Sequence, residues 1–202
     1  MTARDDATLA VYAARAQDYA RLTRKAGDDA LLRAFIADLP TGGAVLDLGC
    51  GPGHAAAAMA RAGLNVSAID AVPEMVALAA RHPGVTAHQA SFDDITGHAL
   101  YDGIWANFSL LHARPEDLPR HLGALACALK PGGRLHVAMK SGTGARRDDL
   151  GRHYTYVTET GLATLLRNAG LVPLTTRAGA DKGLDGKQAP WIAITSEKHD
   201  HG

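Results

Sequence analysis

Val45-Leu-Asp-Leu-Gly-Cys-Gly-Pro-Gly53 is the stretch from which the rest of the chain is best read. Ala44 to Leu48 is a short apolar run holding one carboxylate, Asp47, and it ends on alternating glycines at 49, 51 and 53. Alanine-rich residues 55–62 follow at once, and alanine has the highest helix propensity of the common residues. The pattern predicts a strand, a tight glycine turn and a helix. Glycine lets backbone approach a ligand with no Cβ in the way. The helix behind the turn adds unpaired N–H groups and the positive end of its dipole.

A dinucleotide site would need G-x-G-x-x-G, its third glycine allowing close helix–strand packing. Counted from Gly49, the third glycine position falls on His54; counted from Gly51, the next two fall on Gly53 and Ala56. Neither frame fits. Asp47 is also a poor neighbour for a pyrophosphate and a good one for a ligand carrying an ammonium, because a carboxylate favours nearby positive charge. The whole string, with Asp47 and Gly49-Cys-Gly-Pro-Gly53, resembles the first motif of class I S-adenosylmethionine-dependent methyltransferases. Two alternatives stand beside that resemblance. A nicotinamide-dependent oxidoreductase is opposed by the glycine spacing and by Asp47, whereas a non-catalytic S-adenosylmethionine-binding protein is compatible with the same residues.

The 202 residues suffice for one α/β unit with a sizeable core. Lysine plus arginine number 21, as do aspartate plus glutamate, so no net field draws the chain to nucleic acid or an anionic membrane. Cys50 and Cys127 lack zinc-ligand spacing, and Cys50 lies inside the glycine turn, so both read as free thiols in a reducing compartment. The amino terminus, Met-Thr-Ala-Arg-Asp-Asp, has no apolar signal core, and no apolar run is long enough to span a bilayer. The expectation is a soluble cytoplasmic protein, monomer or homodimer, with no metal.

Before the glycine turn, Leu9, Tyr12, Ala13, Ala16, Tyr19 and Leu22 recur at helical spacing and predict one amphipathic helix within residues 6–25. Asp28 or Asp29 can cap a second helix that Pro40 and Gly42-Gly43 end. After the turn, residues 65–69 read as a strand closed by Asp70, about 20 residues on, where α/β nucleoside sites place a ribose-binding carboxylate. Pro73 suits a first helical turn. Residues 85–90 read as a third strand, followed by Ser91-Phe-Asp-Asp-Ile95. Residues 101–106 form a fourth, leading through Asn107 and His112 to a helix opened by Pro115; Lys130-Pro-Gly-Gly133 turns into a fifth strand at 134–140. Residues 141–156 read as a long loop, which in a compact domain is usually functional or disordered. A helix at 158–168 precedes two last strands, 171–177 and 190–196, joined by a connection at 178–189. The His199-Asp200-His201 tail is an adventitious metal binder or a frayed end.

Tyr101-Asp-Gly-Ile-Trp-Ala106, Ser109-Leu-Leu-His112 and Leu129-Lys-Pro-Gly-Gly133 also resemble segments of small bacterial methyltransferases. The resemblance implies one domain over 1–202: helices in 1–40 closing over the cofactor, and a Rossmann-like three-layer core in 41–202. That core is an α/β seven-stranded, mostly parallel sheet with its last strand antiparallel and helices on both faces. The implied cofactor is S-adenosyl-L-methionine, with S-adenosyl-L-homocysteine as product. Asp47, Gly49, Cys50, Gly51 and Gly53 would hold its amino-acid end, and Asp70 and Ala71 its ribose. Either Ser91 or Asp93, with the Phe92 backbone, would meet the adenine, and Asn107 would follow at the next strand end.

Ligands in open α/β sheets bind outside the carboxyl ends of strands, which makes His112 and Lys140 candidate catalytic groups. Tyr12 and Tyr19 would either face the ligand or pack on the core; facing it, Tyr19 joins the catalytic candidates and Tyr12 the acceptor site. Arg152 and Tyr154 would line the acceptor pocket if the 141–156 loop forms its wall; the arginines of this segment could equally pair with Asp148 and Asp149. A neutral chain with no recognition domain favours a small-molecule acceptor.

Overall fold

The computed structural model describes residues 5–199. Its centre is β1 (Ala44–Leu48), buried from Val45 onwards and paired in parallel with β2 (Asn65–Asp70) on one side and β4 (Tyr101–Asn107) on the other. The chain goes out from β1 one way through β2 to β3 (Val85–Gln89) and returns to start again at β4. This reversal opens a crevice at the carboxyl ends of β1 and β4, the place where open α/β sheets take ligands. Beyond β4 come β5 (Leu129–Lys140), then β9 (Gln188–Lys198), then β8 (Leu171–Lys182) at the edge. Within this sheet β9, the last strand, runs opposite to the other six, as the resemblance implies, and it sits one place in from the edge.

Alternation along the strands builds the two faces. Val45, Val66, Ala68 and Trp105 pack with Leu32 and Phe35 of α3 (Ala30–Ala37) and with Ala56 and Met59 of α4 (His54–Arg61). Leu46, Leu48, Ile104 and Val137 pack on the other side with Leu122 and Leu125 of α6 (Leu118–Ala128) and Leu162 and Leu166 of α7 (Glu159–Asn168). Among the capping candidates, Asp29 accepts from the Leu31 N–H at 2.7 Å and starts α3.

Several boundaries differ from the sequence reading. The single helix expected in 6–25 is two, α1 (Asp6–Ala14) and α2 (Ala16–Leu22), followed by a 3-10 turn at Arg24–Asp28. The break at Arg15 lets Leu9, Tyr12, Ala16 and Tyr19 gather around Val72 and Met75, the latter in α5 (Pro73–Ala79). Pro115 lies in a turn closed by the Asp117 N–H on the Arg114 carbonyl, and Pro119 is the proline of the α6 first turn. Lys130–Gly133 is a bulge within β5, since Tyr101 pairs with Leu129 but Gly103 already with Arg134. The 141–156 segment is not a bare loop: β6 (Ala145–Arg147) and β7 (His153–Thr155) form an antiparallel pair.

The expected connection at 178–189 is mostly strand. Its Gly, Asp and Lys residues are poor strand formers, yet they extend β8 and β9 as one long hairpin. Gly179 makes room there for an indole, for a Cβ would lie 2.4 Å from Trp191. Asp200 and His201 of the tail lie outside the described residues.

Gly53 enters α4 with φ +83°, and a Cβ on it would lie 2.7 Å from the Ala79 Cα of α5. Left-handed backbone costs an L-residue about 1–2 kcal/mol, and overpacking adds about 1–3 kcal/mol. Gly132 has φ +71° with nothing within 4 Å of its Cβ position. Gly53→Ala should therefore lower unfolding stability in urea by about 2 kcal/mol more than Gly132→Ala. Equal losses would show that α4 and α5 do not meet at Gly53.

Candidate active site

The glycine turn is pinned by two bonds to one carbonyl: the N–H groups of Gly49 and Cys50 both donate to Ile69, at 2.8 and 2.9 Å. Gly49 (φ +68°) leaves no room for a side chain, since a Cβ would lie 2.4 Å from Ser109 Cβ; at Gly51 (φ +51°) a Cβ would press on Tyr19 Cε1 at 3.3 Å. Gly53 borders neither of the two cavities at this turn and packs on α5 instead. Cys50 is buried, which pushes its thiol up, and both cysteines are free.

Asp70, ending β2, accepts from the N–H groups of Gly51 and Val72 at 2.9 Å each. Burial raises its pKa and those backbone donors oppose the rise. Asp47 lies 3% exposed beneath the turn, and its Oδ2 has no hydrogen-bond partner among the described residues. Burial pushes its pKa up to about 7, against the Ala56 N–H and with help from the Asp70 charge. A buried carboxylate oxygen left unmatched is costly, and it fits a cation supplied from outside the chain.

Tyr12, Tyr19, Gly49, Gly51 and Phe108 border both cavities. One, of about 320 Å³, runs past Asp70, Ala71, Ser91 and Phe92. The other, of about 440 Å³, runs from Asp47 past Asn107 to Lys140, Tyr154 and Trp191. In the first, the Ser91 hydroxyl is already engaged, donating to Asp94 at 2.8 Å in a capping box. Asp93 faces Arg120 at 2.6 Å, so its charge is partly matched. In the second, the Asn107 Oδ1 lies 3.4 Å from the Nε2 of His136, a ring stacked on Trp105 at 3.8 Å and lowered to about 3 by burial.

The Tyr12 hydroxyl joins both halves of the site. Arg152 Nη1 donates to it at 3.0 Å. His112 Nδ1 lies 2.7 Å from the His153 carbonyl, which can only accept, so Nε2 is left unprotonated and accepts a hydrogen bond from the Tyr12 hydroxyl at 3.0 Å. Burial lowers His112 to about 4, and the Arg152 and Lys140 charges add to the effect. His112 is therefore neutral near neutral pH with both ring nitrogens occupied, which limits it as a general base. Tyr12 and Tyr19 meet edge to face at 5.2 Å.

Arg152 is similarly committed. Its Nε and Nη2 donate to Asp148 at 2.9 and 2.6 Å, and the two side chains are 1% and 7% exposed. With Arg147 bonding both oxygens of Asp5 and the His153 N–H on Thr8 Oγ1 at 2.8 Å, the β6–β7 hairpin is strapped to α1. Phe108, Trp191 and Leu184 also border the second cavity and were not anticipated. Phe108 has φ +56°, an uncommon conformation for a bulky residue that tends to mark functional sites. Nothing in the residue type announces it.

Breaking one side of a buried ion pair leaves an uncompensated charge and costs about 3–5 kcal/mol. Asp148→Asn should therefore lower the stability measured by urea unfolding by about 3 kcal/mol. A loss under about 1 kcal/mol, the range of exposed pairs, would mean that the hairpin is not fastened through Arg152.

Residues 45–133 match the family model of the methyltransferase domain. The ubiquinone biosynthesis O-methyltransferase of Xanthomonas axonopodis pv. citri (strain 306) is 32% identical over 154 residues, covering 65% of this chain and 64% of that protein. Its namesake from Xylella fastidiosa (strain M23) is 37% identical over 105 residues, 48% of this chain and 42% of that protein. The chain thus spans 42–64% of the length of these two relatives. Among solved structures, Burkholderia thailandensis 1,6-didemethyltoxoflavin-N1-methyltransferase, with bound 1,6-didemethyltoxoflavin and S-adenosylhomocysteine, superposes with a TM-score of 0.72 at 26% identity, covering 99% of this chain and 92% of that one. With a bare glycine turn at the sheet's reversal point, Asp47 near the end of β1 and Asp70 at the end of β2, this chain is similar in sequence and in fold to the class I S-adenosylmethionine-dependent methyltransferases.

Proposed function

We propose that the protein transfers a methyl group from S-adenosylmethionine to a small-molecule acceptor, with the donor lying across the glycine turn from Asp47 to Asp70. The observation that carries this reading is the buried Asp47 oxygen, unmatched among the described residues, beside a tight glycine turn. Asp47, with Gly49, Cys50 and Gly51, would hold the amino-acid end of the donor; Asp70 and Ala71 would hold the ribose. Phe92, Ser91 and Asp93 would flank the adenine. Because Ser91 is bonded to Asp94 and Asp93 faces Arg120, the backbone carries more of that contact than the side chains do. Asn107 and Tyr19 would border the reacting centre.

When bound, the cofactor supplies an already activated methyl group. The residues must therefore mainly orient the acceptor and exclude water, and orientation alone can supply much of the rate. Helices α1 and α2 provide the cover, strapped down through Asp5, Thr8 and Tyr12. We read residues 1–202 as one unit, with 1–40 covering the 41–202 core. The small-molecule acceptor is supported by the solved relative, whose bound ligand is of that kind, and by the balanced charge of the chain. Among the described residues no helix is long and apolar enough to cross a membrane; a cytoplasmic monomer or dimer without nucleic-acid partners completes the proposal.

Two measurements test the donor site. The Asp47 pKa, near 7 in the folded protein, lies above the value of about 3.9 expected in the unfolded chain. Its protonation therefore favours folding below about 4, and that contribution is lost as pH rises through about 7. A cation at Asp47 favours the carboxylate, so binding near pH 7 should release a proton and tighten with rising pH. Calorimetry with S-adenosylmethionine in buffers of different ionisation heat should show this release in the wild type and not in Asp47→Asn. Identical proton counts would separate Asp47 from the ligand's ammonium.

The second measurement compares Asp70→Ala with Asp93→Ala. Hydrogen bonds to a charged acceptor are worth about 1.5–3 kcal/mol, so losing Asp70 should weaken S-adenosylhomocysteine binding about tenfold or more. Asp93→Ala should cost less. Tight NAD or NADP binding with no response to either adenosyl ligand would overturn the whole reading.

A further inference from the structure

Lys140 ends β5 with its ammonium half-buried in the second cavity, 3.7 Å above the Tyr154 ring. Among the described residues it makes no ion pair. Asp148 and Asp185 act on it only through space, and Asp148 is already held by Arg152. A partly desolvated ammonium lying on one aromatic face still has donors to offer a ligand. Of the other cations bordering this cavity, Arg152 is spent on Asp148 and Tyr12, while Lys25 and Lys182 are exposed at its rim.

The surrounding walls are flat and apolar. Phe108 and Trp191 meet edge to face at 6.2 Å. The indole N–H is fixed on Asp181 at 2.7 Å, and the strained backbone of Phe108 holds its ring at the β4 end. The bases nearest this end are spent. His112 has both nitrogens bonded, Asp148 is paired, Asp181 receives the Trp191 N–H and Asp185 the Lys187 N–H. An acceptor reaching this place protonated would meet a cation directly, with the neighbouring bases already engaged by other donors.

We propose that the acceptor is a flat aromatic or heteroaromatic acid, taken as its anion with the charge against Lys140 and the ring against Phe108 and Trp191. Phenols and ring N–H acids belong to this class. On binding, the acidic O–H or N–H gives its proton to solvent and its electron pair stays on the ring anion, so no side chain has to act as a base. Lys140 is thereby a substrate-binding cation. This inference rests on the methyltransferase reading, because it places the acceptor in the half of the crevice that the donor leaves open.

The test uses 4-nitrophenol, whose anion has its own visible absorption band, and 4-nitroanisole, which has the same ring and no acidic proton. Protein first saturated with S-adenosylhomocysteine, as checked by calorimetry, is titrated with each at a pH below the pKa of the phenol in water. The wild type should raise the phenolate band as the phenol binds. Lys140→Met should weaken phenol binding about tenfold or more and abolish the band, Lys140→Arg should keep both, and 4-nitroanisole should respond to neither change.

Wild-type protein that takes the phenol un-ionised or not at all, or Lys140→Met protein that binds it as the wild type does, would overturn the proposal. Failure of the wild type to take S-adenosylhomocysteine would instead strike the underlying methyltransferase reading.

Discussion

The site depends on one constraint: a carboxylate, Asp47, is buried beneath a tight turn and, among the described residues, left without a partner for one of its oxygens. An isolated buried charge is expensive, and in a free chain it is relieved by taking up a proton. The Asp47 pKa is accordingly pushed to about 7, with the neighbouring Asp70 charge contributing. Two acids close together at the ends of β1 and β2 are a poor arrangement for stability alone. They become a good one when a ligand brings positive charge to one and hydroxyl groups to the other. The glycines serve the same end, because a side chain at 49 would strike Ser109 and one at 51 would press on Tyr19 at the ligand's edge of the turn.

Above that floor the cover is assembled from distant sequence. Asp5, Thr8 and Tyr12 of the amino-terminal segment reach Arg147, His153 and Arg152 of the β6–β7 hairpin. The Tyr12 hydroxyl is shared between Arg152 and His112, so the position of α1, the hairpin and the β4 end are set together. The charges here are mostly internal to the protein. Asp5 is held down to about 2 chiefly by its bond to Arg147, and Arg152 is matched by Asp148. Among the described residues, Lys140 stands apart as a half-buried cation whose close partner is an aromatic face.

Much of the fold could be read in the sequence because its signals are local. The apolar run at 44–48, the bare turn and the alanine helix are contiguous, and Asp70 lies at a fixed remove from them. The long β8–β9 hairpin escaped notice because its outer residues gain their order from each other's backbone and from Trp191 over Gly179, a pairing invisible to composition. The β6–β7 pair is three residues a side, too short for periodicity to register. Arg152 illustrates a different limit. An arginine in a glycine-rich loop left a substrate contact and a pairing with Asp148 or Asp149 equally open, and the structure gives its guanidinium to Asp148, four residues away. Sequence marks the charge; only the fold decides its partner. Phe108 and Trp191 were missed because aromatic residues at strand ends are as common in cores as in pockets.

The most direct test of the central claim is a crystal structure of the protein with S-adenosylhomocysteine. The account predicts density across the glycine turn, with the ligand's ammonium on Asp47 and its ribose hydroxyls on Asp70. A ligand seated elsewhere, or one whose ammonium leaves the Asp47 oxygen as unmatched as before, would contradict it.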